Sequence, residues 1–433
     1  MSDSSRRPAH SLRRGLEALE DRITPVFLPR GDPASINFAL GTPLQPVSVP
    51  SGGLSIAIGN LIPEGTTAAR NEYVTGTGPG REGLVRVWDL DGNLLRQFVP
   101  FAGFQGGINV AVGDVLGDGA LEIIVAVASN GPPHVKVFTV NGDELASFYA
   151  FTDAAGNPNY NGGLNIAVGN VLNEGPGGPD RGVGAGGFFG GNNASFKAEI
   201  IVGSAGGGVQ GHVKVFDGNG KEFRSFHPFV GGYLGGVSVA AASIDTTRTP
   251  GSTGGGGGFG GGNQNRPRDT NSYAEIIVGA TVTAPHVKVF SVWESDIPRE
   301  LQSYYAFDPN LGVGITVAAG STDGSRGAEI YAALIGGDYI TGAPIRIFNG
   351  ETRVLRGQFF AFPPNYSRVV NMAVGNVINF DPQDDDTPGF GNNGNPFFNT
   401  QDLAVVAGDG PFEQRPRLFL GRAGSPAGLN GPP

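Results

Sequence analysis

The sequence predicts an all-β chain, a six-bladed β-propeller of four-stranded antiparallel blades. Three observations predict it. A unit of four short segments recurs along the 433 residues. The segments are rich in β-branched and aromatic residues and are bounded by Gly, Asn or Asp, which is how strands and tight turns read. The composition agrees, with 74 glycines, 32 prolines and only 16% charged residues. Four strands in a unit of about 50 residues match a propeller blade.

Each element follows from the alignment. The first segments are SIAIGN (55–60), NVAVGD (109–114), NIAVGN (165–170), SVAAAS (238–243), TVAAGS (316–321) and NMAVGN (371–376). The second are EYVTG (72–76), EIIVA (122–126), EIIVG (199–203 and 275–279), EIYAA (329–333) and DLAVV (402–406). The third are LVRVW (84–88), HVKVF (134–138, 212–216 and 286–290), PIRIF (344–348) and PRLF (416–419). The fourth end in an aromatic: QFVPF (97–101), SFYAF (147–151), SFHPF (225–229), SYYAF (303–307) and QFFAF (358–362). The sixth unit lacks a fourth segment. PLQPVSVPSGG (43–53) resembles one and is expected to complete the last blade, which would close the ring and remove exposed edges. Seven blades is the alternative, if residues 26–42 hide a degenerate strand. The expected organisation is a basic, amphipathic tag at 1–25, a linker at 26–42, the propeller at 43–421 and a tail at 422–433.

Three Gly-rich insertions, 173–197, 246–272 and 379–400, fall between first and second strands and are expected on one face of the ring. Small residues stand at Gly59, Gly113, Gly169, Ala242, Gly320 and Gly375, where neighbouring inner strands crowd the axis. Just inside each first segment lie Ser55, Asn109, Asn165, Ser238, Thr316 and Asn371. They form an expected ring of six polar side chains near one channel mouth. Either they make a polar binding site or they satisfy backbone amides and water.

An acid opens every second segment (Glu72, Glu122, Glu199, Glu275, Glu329, Asp402), and every third segment carries a cation (Arg86, Lys136, Lys214, Lys288, Arg346, Arg417). Their recurrence predicts a structural ion pair within each blade, with Glu122 and Lys136 in diagonal positions. His134, His212 and His286 begin equivalent strands, so they are expected around the ring as solvent-facing residues rather than converging on a metal.

Several function classes are excluded or disfavoured. A net charge of −10 argues against nucleic acid. There is no cysteine, so thiol catalysis, disulfides and thiolate metal sites are excluded. No apolar run is long enough for a transmembrane helix. There is no Gly-x-Ser-x-Gly, HExxH or P-loop, and the innermost segments bring no charge inside them, so an enzyme centred on the channel is not expected.

The segment GDVLGDGALEI (113–123) looks like a calcium loop with one ligand replaced. With its strand context it resembles the FG-GAP/VCBS repeats, also found in the integrin α-chain head. That resemblance implies a propeller, and calcium held in the loop D-x-[D/N]-x-D-G-x-x-D. Asp114, Asp118, Gly119 and Glu122 match it, while Leu116 stands where the family has a side-chain oxygen. The candidate calcium ligands are therefore Asp114, Asp118 and Glu122. The other loops are poorer, although Asp323 takes a ligand position and DPQDDD (381–386) is acidic. Near the start, LEALEDRITP (16–25) resembles the N-terminal motif of many large surface or secreted planctomycete proteins, which implies export without a classical signal peptide.

The expected function is a non-enzymatic, exported or cell-surface propeller that binds protein or glycan at the envelope, as a monomer. The alternatives are a polysaccharide-acting hydrolase or lyase with its site on top-face loops, and a passive module of a surface layer.

Overall fold

The computed structural model describes residues 42–43, 53–62, 72–89, 92–172, 197–206, 209–244, 273–293, 295–322, 327–336, 344–362, 369–375, 402–407 and 417–419. A two-residue strand comes first, β1 (Thr42–Pro43). Blade 1 is β2 (Leu54–Gly59), β3 (Glu72–Thr77), β4 (Val85–Trp88) and β5 (Leu94–Phe98). Blade 2 is β6 (Ile108–Gly113), β7 (Glu122–Val127), β8 (His134–Phe138) and β9 (Glu144–Tyr149). Blade 3 is β10 (Leu164–Gly169), β11 (Glu199–Ser204), β12 (Val213–Phe216) and β13 (Glu222–Phe226). Blade 4 is β14 (Val237–Ala242), β15 (Glu275–Ala280), β16 (His286–Ser291) and β17 (Arg299–Tyr305). Blade 5 is β18 (Ile315–Gly320), β19 (Glu329–Leu334), β20 (Pro344–Asn349) and β21 (Leu355–Phe360). The last strands are β22 (Val370–Gly375), β23 (Asp402–Ala407) and β24 (Arg417–Phe419).

Every pairing within a blade is an antiparallel hairpin neighbour. The expectation of six equivalent blades is corrected here. Five four-stranded blades in the ring are each folded from one continuous stretch of chain. The remaining sheet is composite: β22, β23 and β24 come from the end of the chain, and its outermost member is β1. Its outer half is vestigial, with three residues in β24 and two in β1, in the register Thr42↔Leu418 and Pro43↔Arg417. A full outer strand over 43–53 was expected, and residues 44–52 of that stretch lie outside the described residues. Within β1 itself, Pro43 has no N–H for a ladder. Among the described residues no strand forms a seventh blade. The tag, the tail, most of the linker and the three long insertions lie outside the described residues.

Both faces of a blade are buried against neighbours, which explains why the second segments are continuously apolar instead of alternating. Ile123 and Val125 of β7 join a core with Val74, Val85 and Val87 of blade 1. The residues between them, Ile124 and Ala126, join a core with Ile200 and Val202 of blade 3. The inner strands pack in sequence around the axis, β2 on β6, β6 on β10, β10 on β14, β14 on β18 and β18 on β22, and β22 returns to β2.

The small residues at the ends of these strands make that approach possible. A methyl group on Gly59 would sit 2.6 Å from Val112 Cγ1 of the next blade, and one on Gly375 would sit 2.9 Å from Ile58 Cβ. In blades 1 to 3 the hairpin between third and fourth strands turns on a glycine with positive φ, Gly92, Gly142 and Gly220 at φ 83°, 91° and 86°. The register between third and fourth strands shifts by a bulge in all of blades 1 to 5, for example at Val137/Phe138. The fourth strands also end earlier than the sequence suggested. The aromatics that close those segments, Phe151, Phe229, Phe307 and Phe362 among them, lie just beyond the strand and are buried against the following blade.

Candidate functional site

The six polar side chains near the axis do form a ring, and each is occupied by a neighbour's backbone. Ser55 Oγ donates to the Ile108 carbonyl at 2.9 Å, Asn109 Nδ2 to Leu164 at 2.7 Å, and Asn165 Nδ2 to Val237 at 2.9 Å. Ser238 Oγ accepts from the Val317 amide at 3.1 Å. Thr316 Oγ1 donates to the Val370 carbonyl at 2.9 Å, and Asn371 Nδ2 to Leu54 at 2.7 Å. Each bond crosses from one inner strand to the next, so the ring stitches blade to blade. This is the outcome in which polar groups satisfy backbone groups.

The expected ion pair between second and third strands is corrected. The acid and the cation do different jobs. Glu122 Oε2 accepts from the Val115 and Leu116 amides at 2.9 and 3.3 Å, where the chain leaves the inner strand. Glu72 does the same for Leu61 and Ile62, Glu199 for Val171 and Leu172, Glu275 for Ile244, and Glu329 for Thr322. These five carboxylates are buried. A charge-assisted bond of this kind contributes about 1.5–3 kcal/mol. The lysines reach outward instead: Lys136 pairs with Glu144 at 2.8 Å, Lys214 with Glu222 at 2.7 Å and Lys288 with Glu300 at 2.7 Å, all on fourth strands. Lys136 lies opposite Val125, so the pleat points it away from the capped loop.

The candidate calcium ligands do converge. Asp114, Asp118 and Glu122 each bring a carboxylate oxygen within 4.8 Å of the others. Burial pushes the Glu122 carboxyl up to about 7, with the nearby Asp114 and Asp118 charges adding to it and the two amide bonds opposing it. Hard oxygen donors suit a divalent cation, but calcium commonly takes six to eight of them. Asp114 accepts from Gly117, Asp118 and Gly119 amides, and Asp118 from Ala120. Glu122 belongs to the capping device common to five blades. The acids peculiar to this loop are Asp114 and Asp118, and Leu116 supplies no side-chain oxygen. The set fits calcium as a partial donor shell. Asp323 and the 381–386 run lie outside the described residues.

The histidines begin equivalent strands and do not converge on one another across blades, but they are not simple solvent-facing residues. His134 Nε2 meets Ser147 Oγ at 2.7 Å, and its ring lies between Phe101 of blade 1 and Tyr149, at centroid distances of 5.1 and 4.6 Å. His286 repeats this with Ser303, Phe229 and Tyr305. Lys136 sits over the Phe101 ring at 5.2 Å and Lys288 over Phe229 at 5.7 Å. In blade 5 an arginine keeps the theme, with Arg346 over Phe307 at 4.5 Å. An aromatic–imidazole–cation cluster therefore recurs at the cleft between adjacent blades. The signal was present in the sequence as the HVKVF and xF repeats, but only folding brings the closing aromatic of one blade onto the opening histidine of the next.

At one of these clefts, between blades 2 and 3, a cavity of about 240 Å³ opens. Phe151, Tyr160, His212, Lys214 and His227 are among its lining residues. The His212 and His227 rings are 4.2 Å apart. Burial lowers His212 to about 4, helped by the positive neighbours His227 and Lys214.

Four-stranded antiparallel blades around a closed ring of inner strands define the fold as a β-propeller. Solved structures similar to this chain include the WD40 β-propeller domain of Doa1, with 12% identity, TM-score 0.40, and coverage of 89% of this chain and 97% of that one. Another is AofleA from Arthrobotrys oligospora, with 11% identity, TM-score 0.44, and coverage of 89% and 86%. A third is the rhamnogalacturonan lyase YesW, with 11% identity, TM-score 0.32, and coverage of 83% and 70%. No family model and no curated protein matches the chain, so the FG-GAP/VCBS and N-terminal resemblances remain resemblances of motif.

Proposed function

We propose that this chain is a non-enzymatic binding propeller of the cell exterior that holds envelope glycan in the clefts between its blades. The observation that carries the reading is the recurring inter-blade cluster of Phe, His and Lys, as in Phe101, His134 and Lys136. Aromatic faces stack on the apolar faces of sugar rings, and imidazole and ammonium groups meet their hydroxyl and acidic groups. The channel offers less, because its polar ring is committed to backbone bonds. A hydrolase or lyase needs free converging acids. Among the described residues the three that converge, Asp114, Asp118 and Glu122, hold loop amides. Export is supported by the likeness of LEALEDRITP to a motif of surface proteins, and a monomer is the expected state. Calcium at Asp114, Asp118 and Glu122 would stiffen one loop and is not needed for binding.

Retention of the protein on cell-envelope fractions, followed by a glycan array, tests the reading. Retention that survives protease treatment of the envelope and falls on periodate oxidation is expected. No retention, or retention abolished by protease alone, overturns it.

A further inference from the structure

One cleft differs from its equivalents in a way that makes room for a ligand. In blades 2 and 4 the ring packed on the first histidine is a tyrosine: Tyr149 against His134 and Tyr305 against His286, both at 4.6 Å. In blade 3 the same place holds His227, a smaller ring. The residue before His212 is Gly211, where the equivalents have Pro133 and Pro285. These two reductions leave the cavity of about 240 Å³, the space of roughly eight waters at about 30 Å³ each. Across it, the loop after β9 supplies a wall. Tyr160 is buried, its ring 5.5 Å from Phe151, and its hydroxyl is tied to both the amide and the carbonyl of Gly206.

The chemistry of the lining is one-sided. His212, His227 and Lys214 are its ionisable bases, and Thr152, Asn159, Ser204 and Gln210 are neutral polar groups, while among the described residues no carboxylate lines the cavity. Lys214 gives one N–H to Glu222 Oε2 at 2.7 Å, which leaves two ammonium donors. His227 donates from Nδ1 to the Gly211 carbonyl at 3.0 Å, which turns Nε2 to the other side of the ring. Phe151 lies beneath the Lys214 ammonium at 5.2 Å, so the cation stands over that aromatic ring.

We infer that the cleft between blades 2 and 3 is a binding site for a carboxylated pyranose, a uronate residue. The ring would lie against Phe151 and Tyr160, the carboxylate would meet the Lys214 ammonium, and a ring hydroxyl would donate to His227 Nε2. This deepens the glycan-binding reading and rests on it.

Calorimetric titration of the whole chain with glucuronate and with glucose, for the native protein and the His227→Tyr variant, tests it. The variant installs the ring found at the equivalent places in blades 2 and 4, so the blade keeps its packing. A circular dichroism melt unchanged within a few degrees checks that. Glucuronate is expected to bind at least tenfold more tightly than glucose, and His227→Tyr to abolish that binding. Equal binding of the two sugars overturns the charge assignment. Undiminished glucuronate binding by the variant places the ligand elsewhere and overturns the site. If glucuronate fails while other glycans on the array are retained, this inference falls and the general reading stands; if none is retained, both fall.

Discussion

Asn371 Nδ2 donates to the carbonyl of Leu54 at 2.7 Å across 317 positions of sequence, and so joins the innermost strand of the last sheet to that of the first. The same two strands meet through Gly375 and Ile58. Closure of the ring is therefore made at the axis, by β22 against β2, as well as at the rim, where β1 and β24 share only a short ladder.

Asn371→Ala removes the donor and leaves the Leu54 carbonyl partly buried without its partner. The loss is expected to be about 1–3 kcal/mol, the cost of an unsatisfied buried polar group. Urea unfolding reads it, and an unchanged midpoint would show that closure does not depend on this bond.

His212 is depressed to about 4 by burial, with His227 and Lys214 adding to it. Its unfolded value is near ~6.5. The folded state thus binds fewer protons than the unfolded one between those values, so the stability it contributes is present above pH ~6.5 and is lost as pH falls towards 4. Burial also lowers His134 and His286, in the same sense. His212→Gln, which can still hydrogen-bond Ser225, should flatten this slope in denaturation midpoints measured between pH 7 and pH 4.5. An identical slope in the variant would locate the acid sensitivity elsewhere.

Calcium should raise the melting temperature only at about millimolar concentrations, in the range of loosely ligated extracellular sites. Glu122→Gln keeps an acceptor for the Val115 and Leu116 amides while removing a charge, so it should shrink the calcium response more than it lowers the basal melting temperature. A response at micromolar calcium would mean that the donor shell is fuller than three carboxylates.

Lys288→Ala should cost more than Glu300→Ala. The Glu300 side chain is 42% exposed, and such a pair is worth under about 1 kcal/mol. The Lys288 ammonium also sits over the Phe229 ring of the neighbouring blade at 5.7 Å. Expected losses are about 1–2 kcal/mol for the lysine and below about 0.5 for the glutamate. Equal losses would assign the stability to the ion pair instead.

Arg353 sits at φ 63° in the blade 5 hairpin, at the place where Gly142 and Gly220 turn blades 2 and 3 at φ 91° and 86°. A side chain there costs about 1 kcal/mol in the left-handed region. Arg353→Gly should therefore raise stability by about 0.5–1 kcal/mol, read as a higher melting temperature. A lower one would mean that the arginine side chain contributes more than its backbone strain costs.

The strand segments were legible because each is a short β-former bounded by turn residues, and because the unit recurs. SIAIGN and EIIVA mark strands to within a residue or two of β2 and β7. The convergence of Asp114, Asp118 and Glu122 was legible because all three lie in one loop. The partners of Glu122 and Lys136 were not. Alternation says only which side of a sheet a residue faces, and the capped amides and the outer-strand acids lie on elements whose approach depends on the turn and the bulge. How short the rim pairing of β1 with β24 would be was not legible either, since it depends on how the far ends of the chain meet. The repeat, the strands and the crowded glycines at the axis were set by local pattern. That the polar ring stitches inner strand to inner strand, and that Phe151, His212 and His227 share a cavity, came from the folded arrangement of the sheets. Those contacts join different blades, and their geometry is set by how the sheets twist and pack around the axis.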